Sequence, residues 1–166
     1  HHQSNGFRDN SYLGRNDTNG RDETTLRGRL RWLPSDTLSV DLAALFADVD
    51  NGYDAFAIDN SLTMLSDKPG RDTQESLGGS LRIEWSALSW ATLTSITAVA
   101  DSDIDFDFDA DWGNDDSWAP VTYDFVSLSN RSRRTVSQEF RFASSEEGRI
   151  FGGTTDWLAG LYVLEL

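Results

Sequence analysis

The sequence predicts an all-β fold, specifically an antiparallel up-and-down transmembrane β-barrel to which this chain contributes about six strands. Three observations lead to this prediction. Segments of about ten residues alternate apolar and polar side chains. The connections between these segments alternate between short and long, and tryptophans lie beside the short ones. A membrane-spanning strand needs the alternation because one of its faces meets lipid and the other meets water, and tryptophan is enriched where lipid and water meet.

The alternation defines the strands in chain order. Residues 23–32 place Leu26, Leu30 and Trp32 on one face and arginines on the opposite face. The same period of two recurs along the chain, as expected for strands whose side chains point alternately to the two faces of a sheet. The predicted strands cover residues 23–32, 38–47, 74–85, 90–108, 134–143 and 157–166.

The fourth predicted strand carries an acidic ladder. From Asp101 to Asp111, aspartates at odd positions alternate with Ile104, Phe106 and Phe108. The even positions are therefore predicted to be the apolar face of this strand. Because like charges on one face repel each other, the aspartates are predicted to meet water, in the lumen or on the extracellular side, with barrel arginines offsetting their charge. The candidate arginines are Arg27, Arg29, Arg82 and Arg141.

Two long segments do not alternate, and we expect both to be ordered loops. The first covers residues 48–74 and contains the turn-forming pairs Asn51-Gly52 and Pro69-Gly70. The second covers about residues 109–130. Residues 1–22, rich in Asn, Asp, Gly and Arg, are also predicted to be a loop, and residues 144–156 a polar connection.

The composition argues against several functions. The chain of 166 residues has a net charge of -14, which disfavours nucleic-acid binding because phosphates require clustered Lys and Arg. It has no cysteine, and its two histidines are the first two residues, so no catalytic constellation, resident cofactor or metal site is expected. The aspartates between Asp48 and Asp59 depart from the calcium-loop pattern. We expect a protein that is not an enzyme.

A second architecture fits the alternation as well. A soluble β-sandwich with one solvated face, such as a carbohydrate-binding module, also alternates apolar and polar side chains. The arginines of residues 23–32 favour the barrel, because they would be costly inside a sandwich and ordinary in a wet lumen. The chain also stops inside an apolar, strand-like run. We therefore expect it to be part of a longer protein, since chain termini are usually polar and exposed.

Several motifs resemble those of TonB-dependent outer-membrane receptors. Residues 48–76 read DVDNGYDAFAIDNSLTMLSDKPGRDTQES, residues 134–145 read RTVSQEFRFASS, and residues 156–162 read DWLAGLY. The opening GFRDNSYLGRNDTNGRDE, followed by TLRGRLRWLPSD, is similar to the same family. Together these segments span nearly the whole chain in the expected order.

The resemblance implies that residues 1–166 are part of a receptor barrel of about 22 strands with a plugged lumen. The plug domain and the TonB box would lie outside these residues. Such receptors import scarce nutrients across the bacterial outer membrane with energy delivered by TonB, and we expect a ferric siderophore as the ligand. The implied partners are TonB, the siderophore and outer-membrane lipid. A porin without TonB coupling is the nearest alternative in architecture.

Five aromatic residues in the two predicted loops are the candidate ligand-binding residues. Aromatic faces suit planar siderophores or sugars, and these residues are predicted to line an outer vestibule; the alternative is that they only pack the loops together. The candidates are Tyr53, Phe56, Trp112, Trp118 and Tyr123. A basic cluster, Arg131, Arg133 and Arg134, could attract an anionic ligand or lipopolysaccharide phosphate, but we favour the interpretation that it is an ordinary solvated strand end.

Overall fold

The computed structural model describes residues 1–166 and is all-β, with nine strands. The strands are β1 (His2–Ser4), β2 (Asp9–Asn10), β3 (Arg21–Ser35), β4 (Leu38–Gly52), β5 (Thr63–Met64), β6 (Arg71–Trp85), β7 (Ala91–Asp109), β8 (Val126–Ser144) and β9 (Leu158–Glu165). Seven of them form one antiparallel sheet in the order β1-β3-β4-β6-β7-β8-β9. Strands β2 and β5 pair in parallel as a separate two-stranded sheet.

The all-β antiparallel prediction is confirmed. The seven-stranded sheet is open, with β1 and β9 at its edges, so closure into a barrel remains a prediction. The structure contains no helix that is long and apolar enough to cross a membrane.

Several strands are longer than the sequence indicates. Residues 48–52 and 71–73, predicted as loop, are paired parts of β4 and β6, and residues 126–130 belong to β8. The predicted N-terminal loop also contains β1, which pairs with β3 through Gln3 and Asp22, and β2. Residues 71–73 are polar on both faces, and residues 48–52 contain one large apolar side chain, Val49, so neither stretch shows a period-two apolar signal although its backbone is paired. Residues 126–130 do alternate, with Val126 and Leu128 both exposed, and the prediction missed this part of β8.

The chain forms two compact units. Unit 1 comprises residues 1–25, 47–76 and 102–132, and unit 2 comprises residues 26–46, 77–101 and 133–166. Met64 and Ala91 are the fully buried hydrophobic residues. Neither unit therefore has the large apolar core that a soluble domain of this length buries.

One face of unit 2 is identified by its ion pairs. The Arg31 guanidinium donates to both carboxylate oxygens of Asp41, at 2.6 and 3.1 Å. Arg82 Nη1 lies 3.6 Å from Asp41 Oδ2, and Arg82 also pairs with Glu84. On β8, Arg141 donates to Glu139. We call this the polar face.

The opposite face of unit 2, which we call the apolar face, is exposed. Residues Phe140 and Leu161 face each other there on β8 and β9. Its large side chains are between 37% and 63% exposed. They are Leu26, Leu30, Trp32, Leu42, Leu77, Leu81, Val99, Phe140, Leu161 and Val163. A contiguous exposed apolar surface of this kind marks an interaction with another protein or with a membrane.

Polar side chains on the apolar face satisfy one another. The Thr97 hydroxyl donates to Gln138 Oε1 at 2.6 Å, and Gln138 Nε2 donates to Ser95 Oγ at 3.0 Å. The three side chains therefore present few free polar groups to their surroundings, which matters wherever water is scarce.

A stack of aromatic rings marks one end of unit 2. Trp90 stacks on Phe142, with ring centroids 6.3 Å apart, and on Trp157, at 6.0 Å. Trp157 Nε1 donates to the Gly148 carbonyl at 2.8 Å. Glycine is required at position 148 because a Cβ there would overlap the Trp90 carbonyl. The connection between β8 and β9, residues 145–157, is thus folded against the rings and is longer than the turns after β3 and β6.

The sequence pattern predicts Phe106 and Phe108 on the apolar face of β7, but the structure places them on the side of the sheet that carries the polar positions of β6. Ser76 Oγ, on the polar side of β6, donates to Ser102 Oγ at 2.8 Å. Even-numbered residues of β7 therefore share a side with the polar positions of β6. Phe106 and Phe108 are even-numbered and lie on that side, whereas Asp107 lies on the opposite one. Alternation shows which side chains share a face, but it does not show which face is turned towards which surroundings, so the sequence pattern alone led to the wrong assignment.

Candidate functional site

A buried carboxylate holds the loops of unit 1 together. Asp54 is 4% exposed and accepts hydrogen bonds from Asn10 Nδ2 at 2.6 Å, from Thr18 Oγ1 at 2.8 Å and from Ser66 Oγ at 2.5 Å. Asn10 Nδ2 also donates to the Ser66 carbonyl at 2.9 Å. Residues from the N-terminal segment and from the first loop thus meet at one carboxylate, and these donors replace the water that a buried carboxylate requires.

Backbone hydrogen bonds also hold the ends of the first loop, residues 53–70, in place. Gly52 N donates to the Gly20 carbonyl at 2.9 Å, and Tyr53 N donates to the Gly70 carbonyl at 2.8 Å. A Cβ at Gly52 would overlap the Thr18 carbonyl. The predicted turn at Asn51-Gly52 is wrong, because both residues lie in β4. Gly52, and Gly70 against the Asp107 carbonyl, instead allow close backbone approach.

The calcium-like run of aspartates does not converge on a common point. Asp54 is hydrogen-bonded to Asn10, Thr18 and Ser66, while Asp48 and Asp50 are exposed. No group of three or more His, Cys, Asp or Glu side chains is arranged to hold a metal ion.

Two of the predicted site residues, Tyr53 and Phe56, pack within an aromatic cluster. The Tyr53 ring meets Phe106 edge-on at 4.7 Å between centroids, and it meets Phe56 at 6.0 Å. The Phe56 ring stacks on Trp112 at 5.3 Å, with the planes 20° apart. This arrangement corresponds to the alternative stated above, in which these rings pack the first loop onto its neighbours.

The other three predicted residues line an open pocket of about 480 Å³ in the second loop, residues 110–125. Its walls are Ala110, Asp111, Trp112, Trp118, Tyr123 and Phe125. Trp112 belongs to both the cluster and the pocket, so the pocket rests directly on the stacked Phe56 ring. Phe125 and Asp111 were not among the predicted site residues. Phe125 is 60% exposed and borders Tyr123 at 6.2 Å.

Hydrogen bonds give the second loop its shape. Asp111 Oδ2 accepts from Phe125 N at 2.8 Å, and Ala110 N donates to the Phe125 carbonyl at 2.7 Å. Trp112 adopts a left-handed backbone conformation, with φ of 63°, which costs about 1–3 kcal/mol in a residue other than glycine. Asn114 Nδ2 donates to the Leu65 carbonyl at 2.8 Å, which fastens the second loop to the first.

Asp109, at the end of β7, is the one buried acidic group with an unsatisfied oxygen. Its Oδ1 accepts from Asp111 N and Trp112 N, each at 3.2 Å, whereas Oδ2 is buried without a hydrogen-bond partner. Burial, with a smaller contribution from the nearby Asp111 charge, raises the pKa of Asp109 to about 6.

The acidic charge of the chain is concentrated in unit 1. Its segments contain 19 Asp and Glu against 6 Lys and Arg, whereas unit 2 contains 9 against 8. In the loops, Lys68 pairs with Asp124 and lies 3.5 Å from Asp67 Oδ1. The second loop contains no Lys or Arg at all.

The acidic ladder of β7 is only partly neutralised. Arg71 Nε lies 3.3 Å from Asp107 Oδ2, and Asn130 Nδ2 donates to Asp105 Oδ1 at 2.6 Å. Of the four arginines proposed to offset the ladder, Arg82 and Arg141 pair with other carboxylates, as described for the polar face. The arginine that contacts the ladder, Arg71, was not in the proposed set. The cluster Arg131, Arg133 and Arg134 is exposed.

The pocket can bind by stacking and by charge. Indole and phenol faces stack on flat or apolar groups and attract cations, while the surrounding carboxylates repel anions.

No protein-family model, curated protein or solved structure matches the chain.

Proposed function

We propose that the chain is part of a TonB-dependent outer-membrane receptor. Its open sheet would close, together with strands from the rest of the protein, into a transmembrane barrel of about 22 strands. The receptor would import a scarce nutrient, a ferric siderophore, across the bacterial outer membrane. The observation that carries this proposal is the exposed apolar face of unit 2, backed by an ion-paired polar face.

Hydrocarbon is the surrounding that suits the apolar face best. Each Leu left in water instead of being buried forgoes about 1.5–3 kcal/mol, and Leu30, Leu42 and Leu77 are only three members of this face. A lipid-facing surface also rewards internally satisfied polar groups, as in the Thr97–Gln138–Ser95 set. The opposite face, with Arg31 and Asp41 paired, suits a wet lumen.

The strand lengths support the same assignment. Strands β3, β4 and β6 have 15 residues each, and β7 and β8 have 19. A tilted strand crosses a bilayer with about 9–11 residues. The strand residues in excess of this length would extend beyond the lipid, where aspartates on the outside of the barrel can face water. The acidic ladder of β7 begins at Asp101, directly after the exposed Val99.

The alternatives differ from the proposal in what covers the sheet. A soluble carbohydrate-binding β-sandwich requires a second sheet packed about 10 Å away on the apolar face. That sheet would have to come from outside these residues, since the other sheet in the chain has only two short strands. A porin shares the lipid-facing surface. It would lack a plug and TonB coupling, so transport through it would not depend on energy.

The loops of unit 1 would form the outer binding surface. The pocket of Trp112, Trp118, Tyr123 and Phe125 would contact the ligand, with Tyr53 and Phe56 supporting it from below. The partner TonB would be contacted by a part of the protein outside these residues.

Iron uptake by the intact protein tests the proposal. Cells that express the full-length gene in an iron-uptake-deficient strain are given ⁵⁵Fe-loaded siderophores, with an isogenic tonB deletion and a protonophore as controls. We expect uptake that requires the gene, TonB and the protonmotive force. Passive, TonB-independent uptake would indicate the porin instead, and a full-length protein recovered in the soluble fraction would contradict the membrane assignment.

A further inference from the structure

Resting on the proposed function, we infer that the receptor selects iron carriers without net negative charge. It would bind tris-hydroxamate ferric complexes, which are neutral or cationic, and reject tris-catecholate complexes, which are anionic. The selecting feature is the aromatic pocket of the second loop in its acidic surroundings.

The charge of the two ligand classes follows from their chemistry. A hydroxamate binds Fe³⁺ as a monoanion, so three of them leave a neutral centre, and a free ammonium group on the backbone makes the complex cationic. A catecholate binds as a dianion, so three of them leave a triply negative complex. The two classes are thus similar in metal geometry and opposite in their response to a charged surface.

The pocket is built for the first class. Three of its walls are exposed aromatic rings, Trp112, Trp118 and Tyr123, which attract cations through their faces. Asp115 and Asp116 lie exposed in the same loop, which contains no Lys or Arg.

No cation is free to receive an anionic ligand in the loops. Lys68, the one basic residue of the two loops, is already paired with Asp124 and lies near Asp67. The strongly negative surface of unit 1 would also repel an anion at long range and slow its association. A receptor for tris-catecholates would instead need Arg or Lys side chains directed at the ligand.

The inference is tested by measuring ligand binding to the full-length protein in detergent. Quenching of tryptophan fluorescence reports the binding. The probes are the ferric complex of a linear tris-hydroxamate with one free ammonium, a neutral cyclic tris-hydroxamate complex and a tris-catecholate complex. We expect both hydroxamates to bind at least tenfold more tightly than the catecholate. The affinity of the cationic complex should fall as salt rises, while that of the neutral complex should stay nearly constant.

Charge reversal supplies a second readout. In the double variant Asp115→Lys, Asp116→Lys, binding of the cationic complex should weaken about tenfold and binding of the catecholate should strengthen by a similar factor, with the neutral complex unchanged. The matched control is Asp36→Lys, an exposed reversal in the turn between β3 and β4. It should change none of the three affinities.

The outcomes separate this inference from the proposed function. Tighter binding of the catecholate by the unaltered protein would overturn the charge selectivity while leaving siderophore uptake standing. Failure of the unaltered protein to bind or import any of the three complexes would overturn both. An equal response of all three complexes to the double variant would also reject the inference, because it would indicate a change of loop shape instead of charge.

Discussion

Asn10 and Asp54 form a buried hydrogen bond, 2.6 Å from Nδ2 to Oδ2, that joins residues 44 positions apart in the chain. Both side chains are less than 5% exposed. This contact, with its companions from Thr18 and Ser66, ties the N-terminal segment to the first loop. These contacts of unit 1 thus converge on a single carboxylate, and the second loop, which carries the aromatic pocket, is held to the first loop through Asn114.

Removing that carboxylate should loosen the first loop. Asp54→Ala removes the acceptor of the Thr18 and Ser66 hydroxyls and of one N–H of Asn10, whose Nδ2 keeps its bond to the Ser66 carbonyl, and each buried donor left unsatisfied costs about 1–3 kcal/mol. We expect hydrogen exchange of residues 53–70 in the full-length protein to accelerate at least about tenfold. The control is Asp50→Ala, an exposed aspartate nearby. Unchanged exchange in Asp54→Ala would show that the carboxylate does not hold the loop.

A methyl group at position 52 should have a similar effect through sterics alone. In Gly52→Ala the new Cβ would overlap the Thr18 carbonyl, so the N-terminal segment has to move away from β4. Protease cleavage within residues 5–20 of the full-length protein should become faster. Gly28→Ala on β3 is the matched control, since a Cβ there meets no atom within 4 Å. Equal cleavage in both variants would contradict the close approach.

Asp109 should make the loops of unit 1 less stable as the pH rises. Its folded pKa of about 6 lies above the ordinary value of 3.8. The folded state therefore holds this proton more tightly than the unfolded state does. The stability that the protonated group contributes is complete below about pH 3.8 and is lost as the pH rises through 6, by up to about 3 kcal/mol.

The variant Asp109→Asn should remove this dependence. Local opening of residues 110–125, measured by hydrogen exchange between pH 4 and pH 7 and corrected for intrinsic exchange rates, should increase with pH in the unaltered protein. The increase of local opening with pH should be smaller in Asp109→Asn. Asp103→Asn, an exposed member of the same ladder, should leave the slope unchanged. A slope identical in all three proteins would rule out Asp109 as its source.

The sequence predicts the middle of each strand well, because alternation is strong where one face is apolar and the other polar. It fails at strand ends such as residues 71–73, where both faces are polar, and it misplaces Phe106 and Phe108 because period two does not specify which face is which. The Asp54 network escaped prediction for a different reason. Asn10, Thr18 and Ser66 are ordinary polar residues until tertiary contacts bury them, and only the folded loops bring them together.

The candidate site was foreseen in part. Aromatic residues in long loops pointed to Trp112, Trp118 and Tyr123, which do line one pocket. Nothing in the sequence separated them from Tyr53 and Phe56, whose rings pack beneath it. Phe125 lies in the predicted loop of residues 109–130, directly before β8, and was not among the five candidates although it lines the same pocket.

Site-directed spin labelling tests most directly the proposal that the apolar face of the sheet meets lipid. The chain has no cysteine, so single cysteines can be placed within it as adjacent pairs, Arg29 and Leu30, Ser80 and Leu81, Val99 and Ala100. In the full-length protein in liposomes, oxygen should strongly enhance the spin relaxation of labels at Leu30, Leu81 and Val99, and a water-soluble nickel chelate should enhance it only weakly. Labels at Arg29, Ser80 and Ala100 should show the reverse. Equal access of the nickel chelate to both members of every pair would contradict the transmembrane barrel.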